Sequence, residues 1–156
     1  MKLQLLPGIC LSLLLICATA SAQEKIPVNE PDLNKPKLFN DLPEEIPVHI
    51  LDLQALVNTG TGKEVSISLE KNTSTGFNGK VVSAASKYNN NIRSVVIRSS
   101  NFNGATFTLS SSILANGTVK FTGRIISLQH GDLYELQEKD NQYMLIKKNY
   151  HDLINE

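Results

Sequence analysis

The chain has 156 residues, with 15 Lys and Arg balanced by 15 Asp and Glu, enough for one domain and its leader. That balance leaves no field strong enough to draw nucleic acid or anionic lipid to the surface. Both cysteines, Cys10 and Cys17, fall in the first 22 residues, and beyond them Ser, Thr, Asn and Gly favour strands and turns over helices.

Residues 1–22 read as a signal peptide. Lys2 supplies a basic start, Leu11 to Cys17 an apolar stretch, and Ala20-Ser21-Ala22 a small-residue cleavage site before Gln23. Pro7 and Gly8 break the apolar run and Thr19 and Ser21 end it, short of the roughly 20 residues a membrane helix needs. Each cysteine follows an isoleucine, unlike the modified cysteine of a lipoprotein. The expectation is a secreted or periplasmic protein of bacterial character with no stable membrane anchor after cleavage. Its mature chain would be cysteine-free, which excludes disulfides, thiolate catalysis and cysteine metal sites.

Residues 23–46 are expected to be a flexible, proline-containing leader. Pro27, Pro31, Pro36, Pro43 and Pro47 all precede Val48, and no proline follows. Residues 47–156 then form a single domain. In chain order its strand-length runs are 48–57 (VHILDLQALV), 64–70 (EVSISLE), 78–86, 92–99, 104–115, 118–127, 133–139 and 142–148. The second alternates strictly, with Val65, Ile67 and Leu69 on one face. The fold class is therefore all-β: an antiparallel meander of about eight short strands forming a sandwich or a partly closed barrel. Tyr150 to Glu156 has room for one helical turn.

Two hairpins carry a register. Asn116-Gly117 as a two-residue turn pairs Leu114 with Val119 but sets Phe107 and Leu109 on the wrong face. A β-bulge within Ser110-Ser111-Ser112 would restore Phe107 opposite Ile125 and Leu109 opposite Gly123. Asp140-Asn141 as a turn opposes Leu136 to Leu145 and Tyr134 to Lys147 with both faces consistent. Phe77-Asn78-Gly79 and Phe102-Asn103-Gly104 form a faint repeat, each opening a strand after a polar loop.

No constellation of residues indicates catalysis, so the chain is expected not to be an enzyme, with no catalytic, cofactor-binding or metal residue to nominate and no cofactor. Serines occur without a Gly-x-Ser-x-Gly elbow or Ser-x-x-Lys motif, and the only adjacent carboxylates, Glu44-Glu45, lie in the leader. Thr59-Gly60-Thr61-Gly62-Lys63 lacks phosphate-loop spacing and reads as a hairpin loop. His49 and Asp52, three apart in a strand, would face opposite ways. His130, Asp132 and His151 flank neighbouring strands but match no established ligand spacing. Asn72-Thr73-Ser74 and Asn116-Gly117-Thr118 match the glycosylation sequon.

The order Phe77-Asn78-Gly79-Lys80-Val81, SVVIRSS, NGATFTL, Asn116-Gly117-Thr118-Val119 through Gly123-Arg124-Ile125, and GDLYELQEKDNQYMLIKKNYHDL resembles the β-rich prosegment domain of secreted bacterial reprolysin-like metallopeptidases over residues 77–154. The chain departs from that family's precursors in carrying no zinc motif, and it is expected to be a free-standing module without a following catalytic domain. The resemblance implies an exported non-enzymatic binding module, a prosegment-like partner or inhibitor of a secreted metallopeptidase acting by strand addition. The alternative is a lipocalin-like small-ligand carrier, since an eight-strand meander can close round a cavity.

Overall fold

The computed structural model describes residues 34–69 and 76–153. All lie in the compact unit Asp32–Glu156. The signal-peptide segment, the first part of the leader and the sequon at Asn72 lie outside the described residues.

Eight antiparallel strands form one sheet: β1 (Glu45–Val48), β2 (Glu64–Ser68), β3 (Gly76–Lys87), β4 (Ile92–Ser99), β5 (Thr106–Ile113), β6 (Val119–Ile126), β7 (Asp132–Lys139) and β8 (Gln142–Asn149). The order across the sheet is β1-β8-β7-β6-β5-β4-β3-β2. From β2 to β8 it is an uninterrupted meander, and β1 returns to pair with the last strand. The sheet curls into a half-barrel, so of the two expected architectures the partly closed barrel is the one adopted, with no second sheet among the described residues. Period-two alternation explains the curl's two faces: Val95 and Ile97, Phe107 and Leu109, Phe121 and Ile125, and Tyr134 and Leu136 point inward and are buried.

The first expected strand is largely a helix. Residues 48–57 divide into the end of β1 and helix α1 (Ile50–Val57), whose Leu53, Leu56 and Val57 are buried while Leu51 is 72% exposed. The 3-4 spacing of those residues makes one apolar stripe, which α1 lays against β4 and β5 inside the curl. Beyond its C-terminal end, Asn58 Nδ2 donates to Gln54 O and Thr59 Oγ1 to Ala55 O, which occupies carbonyls a short helix leaves open. Residues 59–63 are consequently a helix-to-strand connection and not a hairpin loop.

The leader also needs correction from Asn34 onward. Phe39, Leu42 and Ile46 are buried in the core, and residues 34–44 form a strap running across the sheet's end into β1. Proline does not prevent this, because up to Pro43 the strap bonds to a loop, to side chains and within its own turn, and the ladder begins only at Glu44, whose carbonyl accepts from Lys147 N–H. The N–H of Gly131 donates to Pro36 O at 3.0 Å, and a side chain at Gly131 would bring Cβ to 2.9 Å from Lys35 O. The Tyr134 hydroxyl donates to Pro43 O, and Lys147 Nζ to Leu42 O.

In the β5–β6 hairpin, Phe107 opposes Ile125 and Leu109 opposes Gly123 as expected, but Ser110 to Ser112 pair without a shift. The extra residue sits in the turn. Gly117 N–H donates to Leu114 O and Leu114 N–H to Thr118 O, with Gly117 at φ 81°, giving a three-residue loop closed by a left-handed glycine. The bulge that does occur lies in β3, between Val81 and Ser83. Asp140-Asn141 forms the expected two-residue turn with both φ angles positive, and Leu136 pairs with Leu145 and Tyr134 with Lys147. The Phe-Asn-Gly segments are not equivalent: Phe77 lies within β3, whereas Phe102 sits in the β4–β5 loop and stacks on it at 6.1 Å. A 3-10 turn, Tyr150–Leu153, ends the described chain.

Candidate functional site

An incompletely closed barrel has two edges, and here they border one groove. Glu45, Ile46 and Val48 of β1 face Ile67 and Ser68 of β2 and the adjoining Leu69 across a space of about 520 Å³. His49 and Asp52, at the start of α1, and Gln142 of β8 complete its wall. Ile46, Val48, Ile67 and Leu69 make the floor apolar, and the polar groups stand at the rim.

Backbone alternation determines what β1 offers to this groove. The Glu44 carbonyl accepts from Lys147 N–H at 2.8 Å, so Glu44, Ile46 and Val48 address β8 while Glu45 and Pro47 address the groove. Proline has no N–H, which leaves the outward edge of β1 with the Glu45 N–H as donor and the Glu45 and Pro47 carbonyls as acceptors. An edge so depleted of donors is protected from pairing with copies of itself yet can accept two bonds from a strand of suitable register. Glu45 is also held by Lys139, whose Nζ lies 3.0 Å from Oε1, and that hydrogen bond raises the Lys139 pKa. Both side chains are about half exposed, so the pair orients more than it stabilises.

The histidines fall in three places. His49 and Asp52, expected on opposite faces of a strand, both line the groove because the segment is helical, and the Asp52 N–H donates to His49 O at 3.0 Å in the first turn of α1. His130 Nδ1 lies 2.8 Å from Ser127 Oγ. Asp132 is 1% exposed, and its two carboxylate oxygens accept the N–H groups of Leu38 and Phe39 at 2.7 and 2.8 Å. His151 is in the closing turn, and among the described residues no group of three or more His, Cys, Asp and Glu is arranged to hold a metal ion. Asp132 is thus the anchor of the strap, a role hidden in the sequence by its position in a Gly-Asp turn.

The convex face carries a charged network. Glu135 accepts from Arg124 through Nε and Nη2, from Lys148 at 2.6 Å and from Gln137 at 2.9 Å. Burial raises the carboxyl's pKa, but the hydrogen bonds from Lys148, Arg124 and Gln137 and the Arg124 charge outweigh it and lower it to about 2. The Tyr134 hydroxyl moves the other way, pushed up by burial and by the charges of Glu44 and Asp132.

The fold therefore defines an all-β half-barrel with an edge-lined groove. No family model, curated protein or solved structure matches the chain.

Proposed function

We propose that this is an exported, non-enzymatic binding module that takes an extended segment of a secreted metallopeptidase into the groove between β1 and β2, as a prosegment-like partner or inhibitor. The observation that carries the reading is the groove itself: two sheet edges bordering one apolar-floored space, with the carbonyls of Glu45 and Pro47 turned into it. Main-chain bonds to such an edge supply affinity without regard to sequence, and pockets beside it select side chains. The resemblance of residues 77–154 to metallopeptidase prosegments, together with the signal-like residues 1–22, supports a secreted enzyme as the partner. Phe39, Leu53 and Phe107 fill the interior of the curl, which favours strand capture over the carrier reading.

The test is affinity capture on the immobilised protein from culture supernatant of the source organism, paired with a peptidase assay. The expected result is retention of a metallopeptidase whose activity falls when the protein is added. Retention of no peptidase, together with no inhibition of secreted metallopeptidases, would overturn the proposal.

A further inference from the structure

At the end of the curl opposite Asp132, the inside-apolar rule is broken twice at one register position. Arg93 follows the inward parity of Val95 and Ile97, Ser111 that of Phe107 and Leu109, and the two are paired across β4 and β5. Both line a pocket of about 280 Å³ whose apolar wall is Val57, Ile113, Val119 and Phe121 and whose other polar groups are the amides of Gln54, Asn58, Asn89 and Asn90. No carboxylate lines it. Among the described residues the Arg93 guanidinium has neither an ion pair nor a hydrogen bond, and neither does the Ser111 hydroxyl. Ser111 is 8% exposed, yet no fully buried side-chain oxygen or nitrogen among the described residues lacks a partner, so its hydroxyl opens onto the pocket. The β3–β4 turn brings Asn89 and Asn90 to the rim with φ of 53° and 70°, a left-handed conformation that asparagine tolerates better than most residues.

We infer that this pocket binds a monocarboxylate bearing a short apolar tail. The planar guanidinium of Arg93 matches a carboxylate through two parallel N–H donors, and the Ser111 hydroxyl can add a third. The tail would lie on Val57, Val119 and Phe121. A volume of about 280 Å³ is at the small end for ligand pockets and suits a ligand of a few carbons. Breaking the apolar pattern at paired positions without an internal partner is the mark of a site kept for something other than stability. The pocket shares no residue with the β1–β2 groove, so this inference stands or falls separately from the peptidase proposal.

The carboxylate has two sources, a free aliphatic acid or the C-terminus of a peptide, and the test separates them. Amide NMR spectra of the full chain are followed during titration with hexanoate, with hexanol, and with a short peptide ending in leucine as free acid and as amide. Saturable shifts at Asn58, Arg93 and Ser111 with one or both acids, and not with hexanol or the peptide amide, are expected. The acid that binds identifies the source. Arg93→Gln should weaken binding about tenfold or more, and Ser111→Leu, which fills the pocket while keeping the cation, should abolish it. No saturable shift with either acid, equal binding of hexanol, or full binding by a folded Arg93→Gln protein would overturn the inference. If Arg93→Gln does not fold, full binding by Ser111→Leu overturns it alone.

Discussion

Asp132 and Arg93 are charged residues on the concave side of the same sheet, and the molecule treats them in opposite ways. Asp132, at one end of the curl, is enclosed and spends both carboxylate oxygens on the strap's N–H groups. Arg93, at the other end, is only partly enclosed and meets no acid. A buried charge is tolerated when its hydrogen-bonding capacity is met, and Asp132 satisfies that condition within the chain. Arg93 keeps contact with solvent instead, so water can serve its guanidinium until an ionic partner arrives from outside. One polar group closes the fold and the other leaves it open for binding.

Mutation can break this contrast most forcefully at the closed end. Asp132→Ala leaves the Leu38 and Phe39 N–H groups enclosed without acceptors and should cost about 2–4 kcal/mol, measured by urea unfolding. Loss of protection in hydrogen exchange should centre on residues 38–42, and a cost within error of zero would remove Asp132 from its anchoring role.

A smaller effect is expected on the convex face, where Glu135 is partnered by Arg124 and Lys148 and the group keeps some contact with water. Glu135 has its folded pKa lowered from 4.5 to about 2, so it contributes stability that is complete above pH 4.5 and lost as the pH falls towards 2. Glu135→Gln should therefore lower stability at neutral pH and flatten the acid limb between those values. Parallel stability curves for the two proteins across that window would contradict the network's role.

The smallest effect belongs to the open end. Arg93→Met removes a cation with no internal partner and adds apolar volume beside Phe121, so stability should stay within about 0.5 kcal/mol of the parent or rise. A loss as large as that of Asp132→Ala would show that the two ends are not different in kind.

Much of the sheet was legible because its alternation is strong. The boundaries of β4 agree with the expected run, and the Asp140-Asn141 turn fixes the β7–β8 register through its two positive φ angles. The β5–β6 register is legible and the device behind it is not: the facing of Phe107 and Ile125 demands one extra residue, but the sequence does not say whether strand or turn absorbs it. Helix α1 was hidden by its length. Eight residues give one buried stripe, Leu53, Leu56 and Val57, too short a pattern to compete with an apolar strand reading. The strap is hidden in the sequence because proline content argues about ladders, whereas Phe39 is held by a carboxylate more than ninety residues away.

The candidate site was less legible still. The β1–β2 groove exists only because β1 pairs with the last strand and curls back towards β2, a fact of topology that no local pattern carries. Arg93 and Ser111 do interrupt alternating runs, and that signal was present in the sequence. Its meaning required the register that sets them side by side.

The central claim is that β1 receives a partner strand through its groove-facing backbone, and Glu45→Pro tests it most directly. The Glu45 N–H addresses the groove and not β8, so its removal spares the sheet's own ladder, and Glu45→Ala controls for the exposed pair with Lys139. Inhibition of the captured peptidase should be lost with Glu45→Pro and retained with Glu45→Ala, with both proteins folded as judged by their amide spectra. Undiminished inhibition by folded Glu45→Pro would contradict the account.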